Sequence, residues 1–220
     1  MTPNEFMTEM ISYLKEKGVT FYTHEKVQDL VISTDAIKEV MTTKRILKAD
    51  EVLIAAGSWS PLLTRKLGVK IPIQAGKGYR INTVRETGIT IPALLVEAKV
   101  AVTPMNGFTR FAGTMELAGF NDNINPKRVK AISKSVSNYY QGLSLTQEEE
   151  ASADFGLRPC SPDGLPYIGR THKYKNLIIA SGHAMMGWSL GPPTGKLVSE
   201  IISDKKLSLD IKPFHPDRKF

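Results

Sequence analysis

The sequence predicts a mixed α/β fold: two parts of one layered α/β domain, interrupted by an antiparallel β-sheet that carries a helix. Two short apolar runs, Glu51-Val52-Leu53-Ile54-Ala55-Ala56-Gly57 and Leu177 to Ala180, read as strands buried on both faces, the habit of parallel sheets. Helical patterns accompany them near both ends of the chain. Between about residues 74 and 153 the pattern changes to β-forming stretches separated by turn residues. Residues 1–73 and 154–220 are therefore assigned to one domain, and 74–153 to an inserted one.

Each element has a local reason. Thr2-Pro3-Asn4-Glu5 is a helix start: threonine caps, proline suits the first position, and the glutamate closes a capping box. Phe6, Met7, Met10, Ile11 and Leu14 mark one helical face, and Gly18 ends it. Val19 to Thr23 reads as a short strand. Val27 to Ser33 and Ile37 to Thr43 read as a hairpin about Thr34-Asp35. Ser60-Pro61 opens a short helix that stops at Gly68. Ile73 to Val84, Ala93 to Met105 and Thr109 to Glu116 form the antiparallel β-sequence, with a turn at Asn106-Gly107. Pro126 to Leu143 is helical, with Val129, Ile132, Val136 and Tyr139 or Tyr140 on one side. The last helix is expected over Pro192 to Asp204. No internal repeat or low-complexity linker occurs.

The 220 residues suffice for one large domain or two small ones with a real core. Hydrophobic content of 41% and charged content of 23% are those of an ordinary globular chain. No stretch approaches the ~18 apolar residues of a membrane helix, and Met1 to Glu9 has no apolar signal core. One cysteine, Cys160, excludes an internal disulfide and fits a reducing, cytoplasmic setting. The net charge of +7 reads first as a solvated basic surface; a diphosphate-bearing ligand, an anionic substrate or an anionic membrane surface would each also favour it. Scattered lysines without a nucleic-acid-binding motif argue against a nucleic-acid partner. No His/Cys/Asp spacing suggests a metal site, and no nucleophile elbow suggests Ser-His-Asp hydrolysis.

Two segments carry the chemistry. Gly156-Leu157-Arg158-Pro159-Cys160-Ser161-Pro162-Asp163-Gly164-Leu165-Pro166-Tyr167-Ile168-Gly169 aims one arginine out of a bent loop. Gly182-His183-Ala184-Met185-Met186-Gly187-Trp188-Ser189-Leu190-Gly191-Pro192-Pro193-Thr194-Gly195 reads as a glycine turn and a helix start, which points backbone N–H groups at an anion. The pair suggests a carboxylate held beside a flat, electron-accepting ring. The glycine fingerprint for the rest of such a cofactor is missing. Gly76-Lys77-Gly78 continues into Tyr79, Arg80 and Ile81, with no third glycine.

Ala55-Ala56-Gly57-Ser58-Trp59-Ser60, Gly76-Lys77-Gly78-Tyr79, Gly156-Leu157-Arg158-Pro159, Ser161-Pro162-Asp163-Gly164-Leu165-Pro166 and Gly182-His183…Gly187-Trp188 together resemble the FAD-dependent D-amino acid oxidase superfamily, closest to its bacterial D-amino acid dehydrogenase and glycine oxidase-like members. The resemblance covers nearly the whole chain but only the C-terminal half of that family. It implies part of an FAD-binding Rossmann-like domain with an inserted substrate domain, and a missing N-terminal βαβ unit. A fragment is the expectation. Asp154 and Cys160 depart from the family, which often has tryptophan, and methionine or glycine, there.

The resemblance implies site residues. Arg158 holds the substrate carboxylate through a two-pronged guanidinium grip that lysine cannot make. Tyr79 covers the substrate, against the plain alternative of a packing tyrosine, and Arg80 next to it faces the other way if this is a strand. Gly182, His183, Met186, Gly187, Trp188 and Ser189 line the flavin edge, with His183 acting through its backbone and also near the substrate. Val27, Ala55, Ala56, Gly57, Trp59 and Gly156 complete the cofactor set. FAD is bound non-covalently; Cys160 is not its attachment point. No side chain is expected to act as a catalytic acid or base. The implied reaction is oxidation of a D-amino acid, glycine or a secondary amino acid to the imino acid by hydride transfer to flavin, then hydrolysis to the 2-oxo acid, with oxygen or a quinone as final acceptor. Two alternatives stand beside it: a non-catalytic remnant or partner subunit that needs a separate N-terminal polypeptide, and 2-hydroxy acid oxidation on the same scaffold.

Overall fold

The computed structural model describes residues 2–219. The first elements in chain order are α1 (Pro3–Glu16), β1 (Val27–Ser33), β2 (Ala36–Thr42), β3 (Ile46–Lys48), β4 (Val52–Ile54) and α2 (Ser60–Lys66). β5 (Gln74–Thr83), β6 (Ala93–Leu95), β7 (Val100–Met105), β8 (Phe108–Glu116), α3 (Pro126–Tyr139) and α4 (Gln147–Ala151) follow. The chain closes with β9 (Asp154–Cys160), β10 (Tyr167–Arg170), β11 (Leu177–Ser181) and α5 (Gly187–Ile202). It divides into two compact units, Met1–Thr23 with Lys77–Gly156, and His24–Gly76 with Leu157–Phe220.

The first unit holds most of a five-stranded sheet of order β6-β7-β8-β5-β9. β7 and β8 pair antiparallel up to Met105↔Phe108, with Asn106-Gly107 as the connecting turn. Alternation along the strands splits the side chains between two faces. Tyr79, Ile81, Val100, Val102 and Phe111 go to one face and pack with Val129, Ile132 and Val136 of α3. Ile132 is wholly buried, a placement that stabilises by about 1.5–3 kcal/mol. At Gly113 a Cβ would lie 2.8 Å from Val100 Cγ2 on the neighbouring strand, 2.9 Å from the Lys99 carbonyl that precedes it, and 3.3 Å from Ile132 Cγ1 of α3. Arg80, Asn82, Ala101, Thr103, Arg110 and Ala112 take the other face and are half-buried. Lys77 is fully buried; its amine donates to Asn121 Oδ1 (2.5 Å) and the Asn123 carbonyl (3.0 Å) and lies over the Phe155 ring.

α1 belongs to this unit, although the sequence pattern groups residues 1–73 with 154–220. Asn106 donates to Glu5 Oε1 at 3.0 Å, and the expected capping box is formed by Thr2 and Glu5. Residues 19–23 are not a strand. Their β-forming side chains have no ladder to join, and propensity alone does not make a strand.

In the second unit β1 and β2 form the expected hairpin, with Thr34 at φ +56° in its turn, and β3 extends it. A second sheet has the order β10-β11-β4, with β11 parallel to β4 and antiparallel to β10. The apolar runs at 51–57 and 177–180 are thus parallel neighbours, but only 177–180 is buried on both faces: β4 lies at the edge, with Val52 and Ile54 buried and Leu53 exposed, so the second face expected to be covered is open. Leu30, Ile37, Val52, Ile54, Leu67, Tyr167, Leu177 and Ile179 fill the core on one side. Ile168 and Ile178 pack on Leu197 and Val198 of α5 on the other. Asn176 joins hairpin to sheet: Ile37 N–H donates to its Oδ1 and its Nδ2 donates to the Ile37 carbonyl, both at 2.8 Å. Among the described residues no helix is long and apolar enough to cross a membrane.

Two expected boundaries move. α5 starts at Gly187, not Pro192, and runs through Pro192 and Pro193. Neither proline has an N–H to return to the carbonyls of residues 188 and 189, which normally costs a helix its continuity; the sequence reading placed the start after that weak turn. The segment 156–159 is not a bent loop but part of strand β9. β9 is an edge strand, the one place in a sheet that tolerates Pro159.

Candidate functional site

Three segments of the second unit are tied together, and they carry most of the residues picked out from the sequence. The first is the 3-10 turn Gly57–Trp59 after β4. Ser58 Oγ donates to the Leu157 carbonyl (3.1 Å), which joins that turn to β9. Ser60 Oγ donates to Ser181 Oγ (3.0 Å), and Ser181 Oγ donates to the Gly57 carbonyl (3.0 Å). These hydroxyls join the turn to the end of β11. The third link closes the set: Cys160 and His183 form a β-bridge, and the Ala184 N–H donates to the Pro159 carbonyl at 2.9 Å. The backbone of the Arg158 strand therefore lies against the loop that leads into α5.

That loop is shaped by its glycines. Gly182 sits at φ +88°, and a Cβ there would lie 3.1 Å from Tyr167 Cδ2. Tyr167 is fully buried, its hydroxyl donates to the Pro72 carbonyl (3.2 Å), and Arg218 stacks on its ring 3.9 Å from the centroid. Burial pushes the Tyr167 phenol up to about 12. Ala184 also takes a positive φ, +47°. The chain then turns into α5, whose N-cap residue, Met186, provides no side-chain hydrogen bond. The first amides of α5 sit at the positive end of the helix. Met185, Met186 and Trp188 expose apolar surface beside them, with Met185 70% exposed.

Arg158 is half-buried, and desolvation by burial lowers its guanidinium from the usual arginine range. His183 is half-buried, its Nε2 hydrogen-bonds Thr194 Oγ1 of α5 at 2.9 Å, and burial lowers its imidazole below the ordinary histidine value. The ring is held to the helix through Nε2. Gly187 is exposed, and Trp188 and Ser189 follow in the first turn of α5. Gly156 is exposed, with nothing within 4 Å of a Cβ built on it.

Val27, Ala55 and Ala56 come together elsewhere in the second unit. They line an apolar groove of about 520 Å³ along β4, with Leu30, Leu53 and Leu63 among its other walls. Trp59 is half-exposed in the turn that follows. Tyr79 belongs to the first unit. It is 1% exposed in the core of the sheet, and its hydroxyl donates to Glu116 Oε1 at 2.8 Å. Burial first, and the bond to Glu116 second, raise its phenol above the ordinary value.

One cluster escaped the sequence reading. His172, His215 and Asp217 place potential ligand atoms within 4.8 Å of one another and could hold a metal ion. Asp217 Oδ2 accepts the His172 N–H (2.7 Å), and the two imidazoles stack 4.5 Å apart. His172 lies more than forty positions before the His215 and Asp217 pair, so no motif spacing advertised the three together.

The residues present fit one end of a flavin. The glycine-shaped approach at 182–187, the positive end of α5 and the apolar side chains around it suit a planar, polar-edged ring. A diphosphate is not provided for, because no Gly-x-Gly-x-x-Gly turn follows any strand of this chain.

Residues 1–201 match the family described as DAO, FAD dependent oxidoreductase. A D-amino acid dehydrogenase from Agrobacterium fabrum is 33% identical over 208 residues, which is 93% of this chain and 49% of that protein. The chain thus spans about half the length of the curated relative. In fold it is similar to L-proline dehydrogenase from P. horikoshii (TM-score 0.86, 23% identity, 97% of this chain and 59% of that one). It is also similar to glycine oxidase from Geobacillus kaustophilus (TM-score 0.77, 24% identity, 92% of this chain and 54% of that one). Its mixed α/β architecture is that of part of an FAD-binding fold. With the match covering all but its last residues, the chain belongs to the DAO family of FAD dependent oxidoreductases.

Proposed function

We propose that the chain is the substrate- and flavin-edge half of an enzyme that oxidises D-amino acids, or glycine and secondary amino acids, to imino acids. The observation that carries this reading is the backbone link between Pro159 and Ala184, with the Cys160–His183 bridge beside it. It sets an arginine-bearing strand against the positive end of a helix, the two charges that a carboxylate and an electron-rich ring need.

Arg158 anchors the substrate carboxylate and so orients the α-carbon. Gly182, Gly187, Trp188 and Ser189 bring main chain and the start of α5 to the flavin edge, with Met186 at the cap. FAD, when bound, supplies the electron pair acceptor for the α-hydrogen. The helix start favours negative charge that develops next to it, without any reorganisation. No side chain needs to be a strong base if the amine arrives deprotonated. His183, held to Thr194, stays neutral and fixes the loop. Water then hydrolyses the imino acid to the 2-oxo acid.

The groove at Val27, Ala55 and Ala56 and the short parallel edge strand β4 invite a further strand. Parallel strands are rarely left at a bare edge, and a segment carrying the fingerprint glycines would pair there and complete the diphosphate site. The coverage of only half of the curated relative supports this reading of the partner. FAD is held non-covalently, oxygen or a quinone takes the electrons, and the protein works in the cytoplasm, in peripheral contact with the inner face of the membrane.

The test is spectroscopic. The protein, together with a polypeptide carrying the missing βαβ unit, is mixed with FAD, freed of excess and titrated anaerobically with D-amino acids, glycine and 2-hydroxy acids. A bound flavin whose visible absorbance bleaches with amino acids supports the proposal. A colourless protein, or bleaching by 2-hydroxy acids alone, overturns it.

A further inference from the structure

We propose that His172, His215 and Asp217 form a binding site for one transition-metal ion of the zinc class. The site does not depend on the amino acid reading, and it lies wholly within the second unit.

Two stretches of chain supply the ligands. His172 lies in the connection between β10 and β11, and His215 and Asp217 follow the 3-10 turn Lys212–Phe214. Asp217 Oδ2 is 3.3 Å from His172 Nδ1 and 4.0 Å from His215 Nδ1, and one ligand atom of each residue lies within 4.8 Å of the others. Around a tetrahedral zinc ion, with bonds of about 2.0–2.2 Å, ligand atoms stand about 3.3 Å apart. Asp217 and His172 already meet that spacing, and His215 is slightly wide of it. The side chain of His172 is 80% exposed, so its ring has room to turn from its stack on His215 toward a shared ion.

Both stretches are braced, which separates this cluster from a chance meeting of surface side chains. In the first, Thr171 and Tyr174 are buried, the Tyr174 N–H donates to Thr171 Oγ1 (3.3 Å), and the Tyr174 hydroxyl donates to the Leu67 carbonyl (3.0 Å). In the second, Pro216 is buried between the two ligands, so close to β10 that a Cβ on Gly169 would lie 3.1 Å from its Cδ. Arg218, next in line, donates to both carboxylate oxygens of Asp163 at 2.9 Å. The Asp217 carboxylate is itself oriented by the His172 N–H, 2.7 Å away. An ion therefore meets a backbone that is already ordered, and little freedom is lost on binding.

The donor set selects the ion. Two imidazoles and one carboxylate suit zinc and its neighbours in the first transition row, whereas magnesium and calcium prefer oxygen ligands. Three protein ligands leave the fourth position to water. His215 Nδ1 accepts the Asp217 N–H at 3.1 Å; the ion takes over that lone pair, and the amide, on a half-exposed residue, turns to water. The bound ion clasps the end of the chain to the β10–β11 connection. It thereby steadies the segment from which Arg218 stacks on Tyr167.

The test uses the chain as it stands, stripped with a chelator and held at about pH 7.5, where histidine is neutral. Zinc is titrated in competition with a chromophoric chelator, and urea unfolding is followed at each zinc concentration. Wild type should bind one zinc ion, and its urea midpoint should rise as the site fills. His172→Ala, at a largely exposed side chain, should weaken zinc binding at least about tenfold and abolish the rise. Asp217→Asn, which keeps an acceptor for the His172 N–H, should do the same. His24→Ala, at an exposed histidine outside the cluster, should behave as wild type. An absence of saturable zinc binding, or binding undiminished in His172→Ala and Asp217→Asn, overturns the proposal. Magnesium should leave the midpoint unmoved, and a rise equal to that with zinc overturns the choice of ion.

Discussion

Gly182→Ala probes the joint on which the site depends. The glycine takes φ +88°, where an alanine costs about 1–2 kcal/mol in backbone strain. Its new Cβ would lie 3.1 Å from Tyr167 Cδ2 and 3.6 Å from Pro166 Cα. The tyrosine ring cannot swing away easily, since it is fully buried, bonded to Pro72 and covered by Arg218. Overpacking against such a neighbour adds about 1–3 kcal/mol. The sum, about 2–5 kcal/mol, should appear as a lower urea midpoint at unchanged slope. Because Ser181 and Ala184 on either side carry the links to Gly57 and Pro159, FAD affinity should fall in the same variant. A variant within about 0.5 kcal/mol of wild type, the range of an unremarkable surface change, would show that this turn has slack and that the geometry argument is wrong.

Two further outcomes are expected. Arg158→Lys keeps the charge and loses the fork, so the flavin should still bind while KM for amino acids rises about thirtyfold; stopped-flow flavin reduction reads both. His183 has its imidazole lowered by burial. The unfolded chain therefore takes up that proton first, and stability falls as pH drops from the ordinary value of 6.5 toward the lower folded one. His183→Gln should flatten that part of the urea-midpoint profile relative to wild type, and a profile of unchanged slope would remove His183 as its cause.

Local rules made much of the fold readable. The capping box at Thr2 and Glu5, the hairpin about Thr34-Asp35 and the parallel pair of β4 and β11 each follow from a few adjacent residues. What stayed hidden depends on partners distant in the chain. Residues 19–23 have strand chemistry and no ladder. The 156–159 segment has turn residues, yet it becomes a strand because an edge position forgives Pro159. The helical start at Gly187 is masked by two prolines that argue locally against it. For the site, the glycine pattern pointed to the 182–189 loop, and the structure sets the backbone next to Arg158 against it. Tyr79 illustrates the opposite: an aromatic after two glycines gives no hint that its hydroxyl will meet Glu116 in a core.

The paired hydrogen bonds between Asn176 and Ile37 make one side chain the joint between hairpin and sheet. That side-chain amide imitates a neighbouring strand, giving one hydrogen and taking another. An Asn176→Asp exchange would put an acid where the Ile37 carbonyl needs a donor, setting oxygen against oxygen in a dry place. The hairpin would then lose its hold on the sheet through a change of one atom, with every motif around the flavin edge still intact.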